Sequence, residues 1–126
     1  MRNLVTMHWI LAGGIGLLGG VLNGALGVGA AILMVPLMTM VLGLPQLTAQ
    51  GSVLWIMIPM SFMSALRYST QPGIALDYSV IFLMAIVAVV GANVGSSIAF
   101  ALPAAVLKKV FGAFVVVAGI QMLISK

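Results

Sequence analysis

Long apolar runs separated by short polar stretches make up almost the whole chain. The first run covers residues 9–44. Later segments cover about residues 47–66, about residues 78–102 and the stretch from Pro103 to the end. A transmembrane helix needs about 20 consecutive, mostly apolar residues. The runs lack the alternation of apolar and polar positions that membrane β-strands show. The pattern therefore predicts an all-α integral membrane protein with about four transmembrane helices.

The first run is too long for one crossing and is interrupted by glycine. At about 1.5 Å per residue, a straight helix over residues 9–44 would overshoot a hydrocarbon core of roughly 30 Å. Glycines crowd the first two-thirds of the run, and glycine destabilises a helix interior. We therefore expect two shorter helices, about residues 9–22 and 30–41, joined by irregular backbone at residues 23–29. The first helix is then broken or re-entrant.

Two interpretations of these glycines are open. Irregular backbone at membrane depth occurs where it is buried in protein or lines a cavity, so an interrupted helix points to a transport site. In the alternative, the glycines serve packing only. Gly16, Gly20 and Gly24 recur at every fourth position, a spacing that lets two helices approach closely.

Polar residues inside the later runs are the next candidates for function. The second run opens with Gln50, Gly51 and Ser52, and Pro59 predicts a kink near residues 55–59. Asn93 lies in the third run, where a buried amide is costly unless it is hydrogen-bonded. It either joins helices or faces a cavity.

The loop before the third run contains the one acidic residue of the chain, Asp77. Aspartate is a preferred N-cap residue, so Asp77 is predicted to cap the helix that follows. Pairing with Arg67 is the other structural possibility, and a transport role is the minority interpretation.

Composition supports the membrane assignment. The 126 residues are 63% hydrophobic and 5% charged with a mean hydropathy of +1.33, whereas a soluble domain carries about 25% charged residues. The net charge of +4 comes from five scattered basic residues, so no nucleic-acid partner is expected. We expect one transmembrane domain, residues 1–126, that crosses the plasma (inner) membrane several times and has the lipid bilayer around it.

The chain offers no group of residues for catalysis. Hydrolysis within a membrane needs a nucleophile with a base, or a metal site. The sequence has one His, one acidic residue and no Cys. We expect that the protein is not an enzyme and that it has no cofactor and no metal.

The basic residues do not settle the orientation. If the first run crosses once, Arg2, Arg67 and Lys126 share one side and oppose Lys108 and Lys109. If it is a re-entrant hairpin, Arg2 joins the two adjacent lysines instead. Either arrangement places three basic residues on one side of the membrane and two on the other, so the positive-inside rule does not fix the orientation. Near-balance is compatible with dual insertion and an antiparallel homodimer.

The ordered motifs of the chain resemble those of the sulfite exporter TauE/SafE family of permeases. A glycine-rich helix runs into Val-Pro-x-Leu at residues 20–37, and a small, polar helix start follows at residues 49–52. A Gly…Asp loop, Gly-Ala-x-x-Gly and a Leu-Pro…Leu-Lys run follow at residues 73–77, 91–95 and 102–112. One departure is that the family's triple glycine is Gly29-Ala30-Ala31 here.

The resemblance implies transport of small sulfur-containing anions such as sulfite or organosulfonates. The chain has about half the length of a usual two-repeat member. A second copy of itself or a homologous repeat is therefore implied as a partner, most simply in a homodimer. The alternative functions are a membrane assembly or scaffold subunit that transports nothing, and one half of a split permease.

The residues themselves agree with a small anionic substrate. Apart from Asp77 in the loop, the chain has no carboxylate with which to bind a cation or proton in the membrane. An anion can instead be held by backbone N–H groups at helix N-termini. The candidate anion-binding N-termini are the helix starts near residues 27–31 and 48–52. The predicted binding residues are Asn23, Gly24, Gly27, Gly29, Gln50, Gly51, Ser52 and Asn93.

Overall fold

Five α-helices follow one another in a computed structural model that describes residues 2–27 and 29–125. They are α1 (Arg2–Leu26), α2 (Ala31–Val41), α3 (Gln46–Ser69), α4 (Tyr78–Ala101) and α5 (Ala104–Ile124). The chain divides into two compact units, Met1–Thr70 and Gln71–Lys126. The first unit contains α1 to α3 and the second contains α4 and α5.

Four of the described helices are long and apolar enough to cross a membrane. The helices α1, α3, α4 and α5 have 25, 24, 24 and 21 residues. The helix α2 has 11 residues, which corresponds to about 16 Å, or half a crossing. The prediction of an all-α membrane protein with about four transmembrane helices is confirmed.

The predicted limits of the first helix were wrong at both ends. Instead of residues 9–22, α1 covers Arg2–Leu26. Its polar N-terminal residues are helical, and two of their side chains bond to carbonyls one turn back. The Thr6 hydroxyl donates to the Arg2 carbonyl at 2.8 Å, and Nδ1 of His8 donates to the Leu4 carbonyl at 2.9 Å. Such local bonds satisfy polar groups without help from water.

The predicted break is confirmed, but it is shorter than residues 23–29. Residues 23–26 are helical, and the helix ends where the Gly27 N–H donates to the Asn23 carbonyl at 2.9 Å. Gly27 has φ +63° and Gly29 has φ +79°. This left-handed conformation ends helices and favours glycine, which has no Cβ to clash. Val28, between them, lies outside the described residues.

The helix α2 folds back along α1 rather than continuing it. A Cβ placed on Gly19 would lie 2.7 Å from Cγ of Met34. A straight continuation would put Met34 about 22 Å further along the axis. The first apolar run is therefore one full-length helix followed by a half-length helix that returns beside it.

The helix α3 runs parallel to α1. A Cβ on Gly20 would lie 3.9 Å from the sulfur of Met60, and a Cβ on Gly24 would lie 3.7 Å from Oγ of Ser64. Positions on the two helices thus advance together. Of the glycines at every fourth position, Gly20 and Gly24 face α3, as the packing interpretation expects, whereas a Cβ on Gly16 would meet no described atom within 4 Å.

Because α1 and α3 are parallel, the start of α1 and the end of α3 lie at opposite ends of the first unit. Arg2 begins α1 and Arg67 lies in the last turn of α3, so these two cations lie at opposite ends. This is the arrangement expected for a re-entrant first segment. Lys126, which also enters that comparison, lies outside the described residues.

The core of the first unit is a set of short buried stripes, one on each helix. On α1 and α3 the members recur every three or four residues, which places them on one face of the helix. The buried residues are Ile15, Gly19 and Asn23 in α1, Ala30, Met34, Val35 and Met38 in or before α2, and Gln46, Ala49 and Val53 in α3.

In the second unit, α4 begins at a side-chain cap. The Oδ1 atom of Asp77 accepts hydrogen bonds from the backbone N–H of Ser79 at 3.0 Å and of Val80 at 3.2 Å. The predicted N-cap role of Asp77 is confirmed. Pro103 precedes α5, and its carbonyl accepts the first helical bonds from the N–H of Val106 and of Leu107, both at 3.0 Å.

Candidate functional site

Half of the predicted binding residues lie together at the end of α1. Asn23 and Gly24 are in its last turns, and Gly27 and Gly29 form the break. Asn23 is only 7% exposed, although it is polar. Its backbone carbonyl accepts the bond that ends the helix. The sequence prediction for these four residues therefore describes one place in the fold.

The break is followed by an uncapped helix start. Ala30 is the N-cap residue of α2, and it supplies no side-chain hydrogen bond. The first N–H donors to its carbonyl are those of Leu33 at 3.1 Å and Met34 at 2.8 Å. The N–H groups of Ala31 and Ile32 have no acceptor within α2, and they form the positive end of the helix dipole. Such an end attracts anions.

Two residues of α3 that the sequence analysis left out of the site border it. The hydroxyl of Tyr68 donates to the Gly24 carbonyl at 2.9 Å, and Ser64 faces the position where a Gly24 side chain would lie. Only the parallel packing of α1 and α3 brings these hydroxyls to the break, and no local motif signals that packing.

Glycine is required at position 29 for two reasons. Its φ of +79° strains any residue that has a Cβ. A Cβ there would also lie 3.3 Å from Cε of Met57, which is tighter than ordinary contact. Gly29 therefore has no side chain of its own, and on the side that faces α3 the Met57 side chain lies against its backbone.

The electrostatic surroundings of the break favour an anion. The sequence of the first unit contains no aspartate or glutamate. Arg67 stands next to Tyr68 in the last turn of α3, so a fixed positive charge lies at the same end of the unit as the break. A helix N-terminus and a cation together attract negative charge.

The other predicted binding residues lie elsewhere. Gln50, Gly51 and Ser52 are near the start of α3, where the Ser52 hydroxyl donates to the Thr48 carbonyl at 2.8 Å. Twelve residues of helix separate Ser52 from Ser64, or about 18 Å. Within the first unit, one small ion therefore cannot contact both Ser52 and Ser64. This part of the predicted set does not form a single site with the break.

Asn93 belongs to the second unit. It lies in α4, and its carbonyl accepts the Ser97 hydroxyl at 2.9 Å. Its side chain is exposed within the isolated chain. Among the described residues, no group of three or more His, Cys, Asp or Glu side chains is placed to hold a metal ion.

These features define a class of protein. A multi-pass helical membrane protein with a glycine break, a half-length return helix and a helix N-terminus at the break has the architecture typical of a permease. The chain belongs to the sulfite exporter TauE/SafE family, whose model matches residues 12–126. The match begins within α1 and includes the break and all later helices. Membership makes the chain a membrane transport protein. No curated protein and no solved structure matches it.

Proposed function

We propose that the protein is a permease for small sulfur-containing oxyanions or organosulfonates, such as sulfite, in the plasma or inner membrane. The anion binds at the break between α1 and α2. The observation that carries the proposal is the uncapped start of α2 beside buried Asn23 and the two left-handed glycines. This arrangement offers backbone donors at the point where the helix dipole is positive.

The acid–base content of the chain supports an anion over a cation. A transporter that binds cations or protons in the membrane normally uses an embedded carboxylate. The single acidic residue here, Asp77, is already engaged as the cap of α4. Binding by neutral donors also leaves release easy, because the anion forms no full ion pair.

The glycines give the anion access to those donors. Gly24, Gly27 and Gly29 leave the backbone without side chains around the break, while the Ser64 and Tyr68 hydroxyls lie on its α3 side. Asn23 adds a neutral amide. We propose that the bare backbone, the Ser64 hydroxyl and the Asn23 amide replace part of the hydration shell of the anion during transport. The Tyr68 hydroxyl positions the break, because its proton is donated to the Gly24 carbonyl.

A second copy of the chain completes the pathway in this proposal. The resemblance to two-repeat permeases supports it, because one repeat supplies only half of the usual helices. Gln50, Gly51, Ser52 and Asn93 are then further residues of the pathway rather than ligands of the first site. An antiparallel homodimer agrees with the near-balance of basic residues on the two sides.

The test is sulfite flux into proteoliposomes that contain the purified full chain. Taurine, sulfoacetate and chloride serve as competitors, and protein-free liposomes serve as the blank. We expect saturable flux that a sulfonate inhibits and chloride does not. Folded protein without flux would contradict the proposal for the chain alone and favour a split permease or a scaffold subunit. Capture of a homologous repeat from the native membrane would then separate those two.

A further inference from the structure

A buried polar group without a partner lies at the start of α3. Gln46, the first residue of that helix, is 8% exposed. Its Nε2 atom is buried and has no hydrogen-bond partner among residues 2–27 and 29–125. A buried donor that lacks an acceptor is costly, and native proteins rarely leave one unpaired. The position therefore calls for an acceptor from outside the described residues.

The same place is a second uncapped helix N-terminus. Pro45 is the N-cap residue of α3 and supplies no side-chain hydrogen bond. The Ala49 N–H is the first donor to the Pro45 carbonyl, at 2.9 Å. The N–H groups of Gln46, Leu47 and Thr48 thus have no acceptor within their own helix. The Cα–Cβ bonds of helical residues tilt toward the N-terminus, so the side chain of Gln46, the first residue of α3, leaves the helix at this end.

We infer that Gln46 and the first turn of α3 form a second oxyanion subsite. This inference rests on the proposed function, because it takes the ligand to be the transported anion. The Gln46 amide and the free backbone N–H groups donate to the oxygens of that anion, and the helix dipole favours its charge. Gln46 is absent from the residues predicted from the sequence, whose members in α3 begin one turn later, at Gln50.

The two subsites lie at opposite ends of the first unit. Gln46 and Ser64 are eighteen residues apart on one helix, which is about 27 Å. That separation is close to the hydrocarbon thickness of about 30 Å. Because α2 and α3 begin at opposite ends of the unit, an anion meets a positive helix end and bare donors at either membrane face. The break and the start of α3 are the two ends of one path.

The test is the number of sulfite ions that the purified full chain binds, measured by equilibrium dialysis with labelled sulfite. The wild-type chain should bind two per chain, and the Gln46→Met and Gly29→Leu variants should each bind one. Methionine keeps the length of the side chain and removes the amide, so the Tm should not fall. Gln121→Met, the same change on the exposed face of α5, is the control and should bind two.

Gln46→Glu is the second variant, and it keeps the shape of the side chain. A negative charge there should lower sulfite affinity at this subsite at least tenfold, because it opposes the anion. Unchanged stoichiometry and affinity in both Gln46 variants would overturn the subsite. The proposed function would still stand if wild-type flux were saturable. A wild-type chain that binds neither sulfite nor taurine would overturn both.

Discussion

The Tyr68 hydroxyl donates a hydrogen bond of 2.9 Å to the carbonyl of Gly24, 44 residues away in the chain. The last carbonyls of a helix have no partner in that helix. Tyr68 therefore satisfies one carbonyl at the end of α1. It also ties the break to α3, and this one bond links the stability of the first unit to the geometry of the candidate site.

Replacing Tyr68 by Phe should destabilise the first unit by about 1 kcal/mol, because the Gly24 carbonyl loses its donor. We also expect sulfite KM to rise, since the break is less firmly positioned. Thermal unfolding and proteoliposome flux measure the two effects. Tyr78→Phe is the matched control, because Tyr78 is exposed at the start of α4. Equal Tm and KM in both variants would mean that the bond has no role.

Gly29 should tolerate no side chain. Gly29→Leu should abolish flux, and Gly29→Ala should reduce it strongly, because a Cβ at φ +79° is strained and contacts Met57. The left-handed conformation costs a residue with a Cβ roughly 1–2 kcal/mol. Flux of the folded variants in proteoliposomes is the measurement.

Gly13→Ala is the control for this position. A Cβ on Gly13 meets no described atom within 4 Å, and Gly13 lies inside α1. Alanine there should leave flux unchanged and stabilise the helix by about 0.5–1 kcal/mol. If Gly29→Leu also kept full flux, the anion site would have to be sought away from the break.

Local patterns predicted the elements of this fold better than their arrangement. Hydrophobic runs and the Asp77 cap are encoded within a few neighbouring residues, so the four long helices and the start of α4 could be predicted. The return of α2 depends on Gly19 meeting Met34 fifteen positions later. Nothing in the sequence near either residue reports that contact.

The candidate site, too, could be predicted where its residues are close in sequence and not where it depends on the arrangement of the helices. Asn23, Gly24, Gly27 and Gly29 are close in sequence and so could be predicted as one group. The separation of Gln50 and Ser52 from that group follows from the direction of α3, which the sequence left open. Gln46 was not recognised for a related reason. An amide at a helix start is ordinary in sequence, and only its burial without a partner distinguishes it.

The packing of α2 on α1 can be tested through Gly19. Gly19→Ala should destabilise the first unit by about 1–3 kcal/mol, because the methyl group would overlap the buried side chain of Met34. Gly14→Ala, which meets no described atom within 4 Å, should not destabilise it. Thermal unfolding in one detergent compares the two.

A double-mutant cycle tests whether contact with Met34 is responsible for the destabilisation by Gly19→Ala. If Met34 is the obstacle, Met34→Ala in the Gly19→Ala background should cost less than Met34→Ala alone, since the added methyl fills part of the cavity. Additive effects of the two substitutions would contradict the return of α2 along this face of α1.

Asp77 should matter for stability and not for transport. Asp77→Ala removes the acceptor for the N–H groups of Ser79 and Val80 and should cost about 1 kcal/mol. Asp77→Asn should restore most of the loss, because asparagine is also a good N-cap residue. Neither change should alter sulfite KM. A KM change with a wild-type Tm would indicate that the carboxylate acts on the substrate.

The re-entrant first segment makes a direct prediction about membrane sides. The natural sequence has no cysteine, so single cysteines can be introduced and labelled with a reagent that does not cross the membrane. Asn3→Cys marks the start of α1, and Ser69→Cys marks the end of α3. Because these helices are parallel, the two positions should label from opposite sides of the membrane in a chain with one orientation.

Dual insertion would instead label each position partly from both sides, in complementary fractions. Labelling of both positions from one side alone would contradict the parallel packing of α1 and α3.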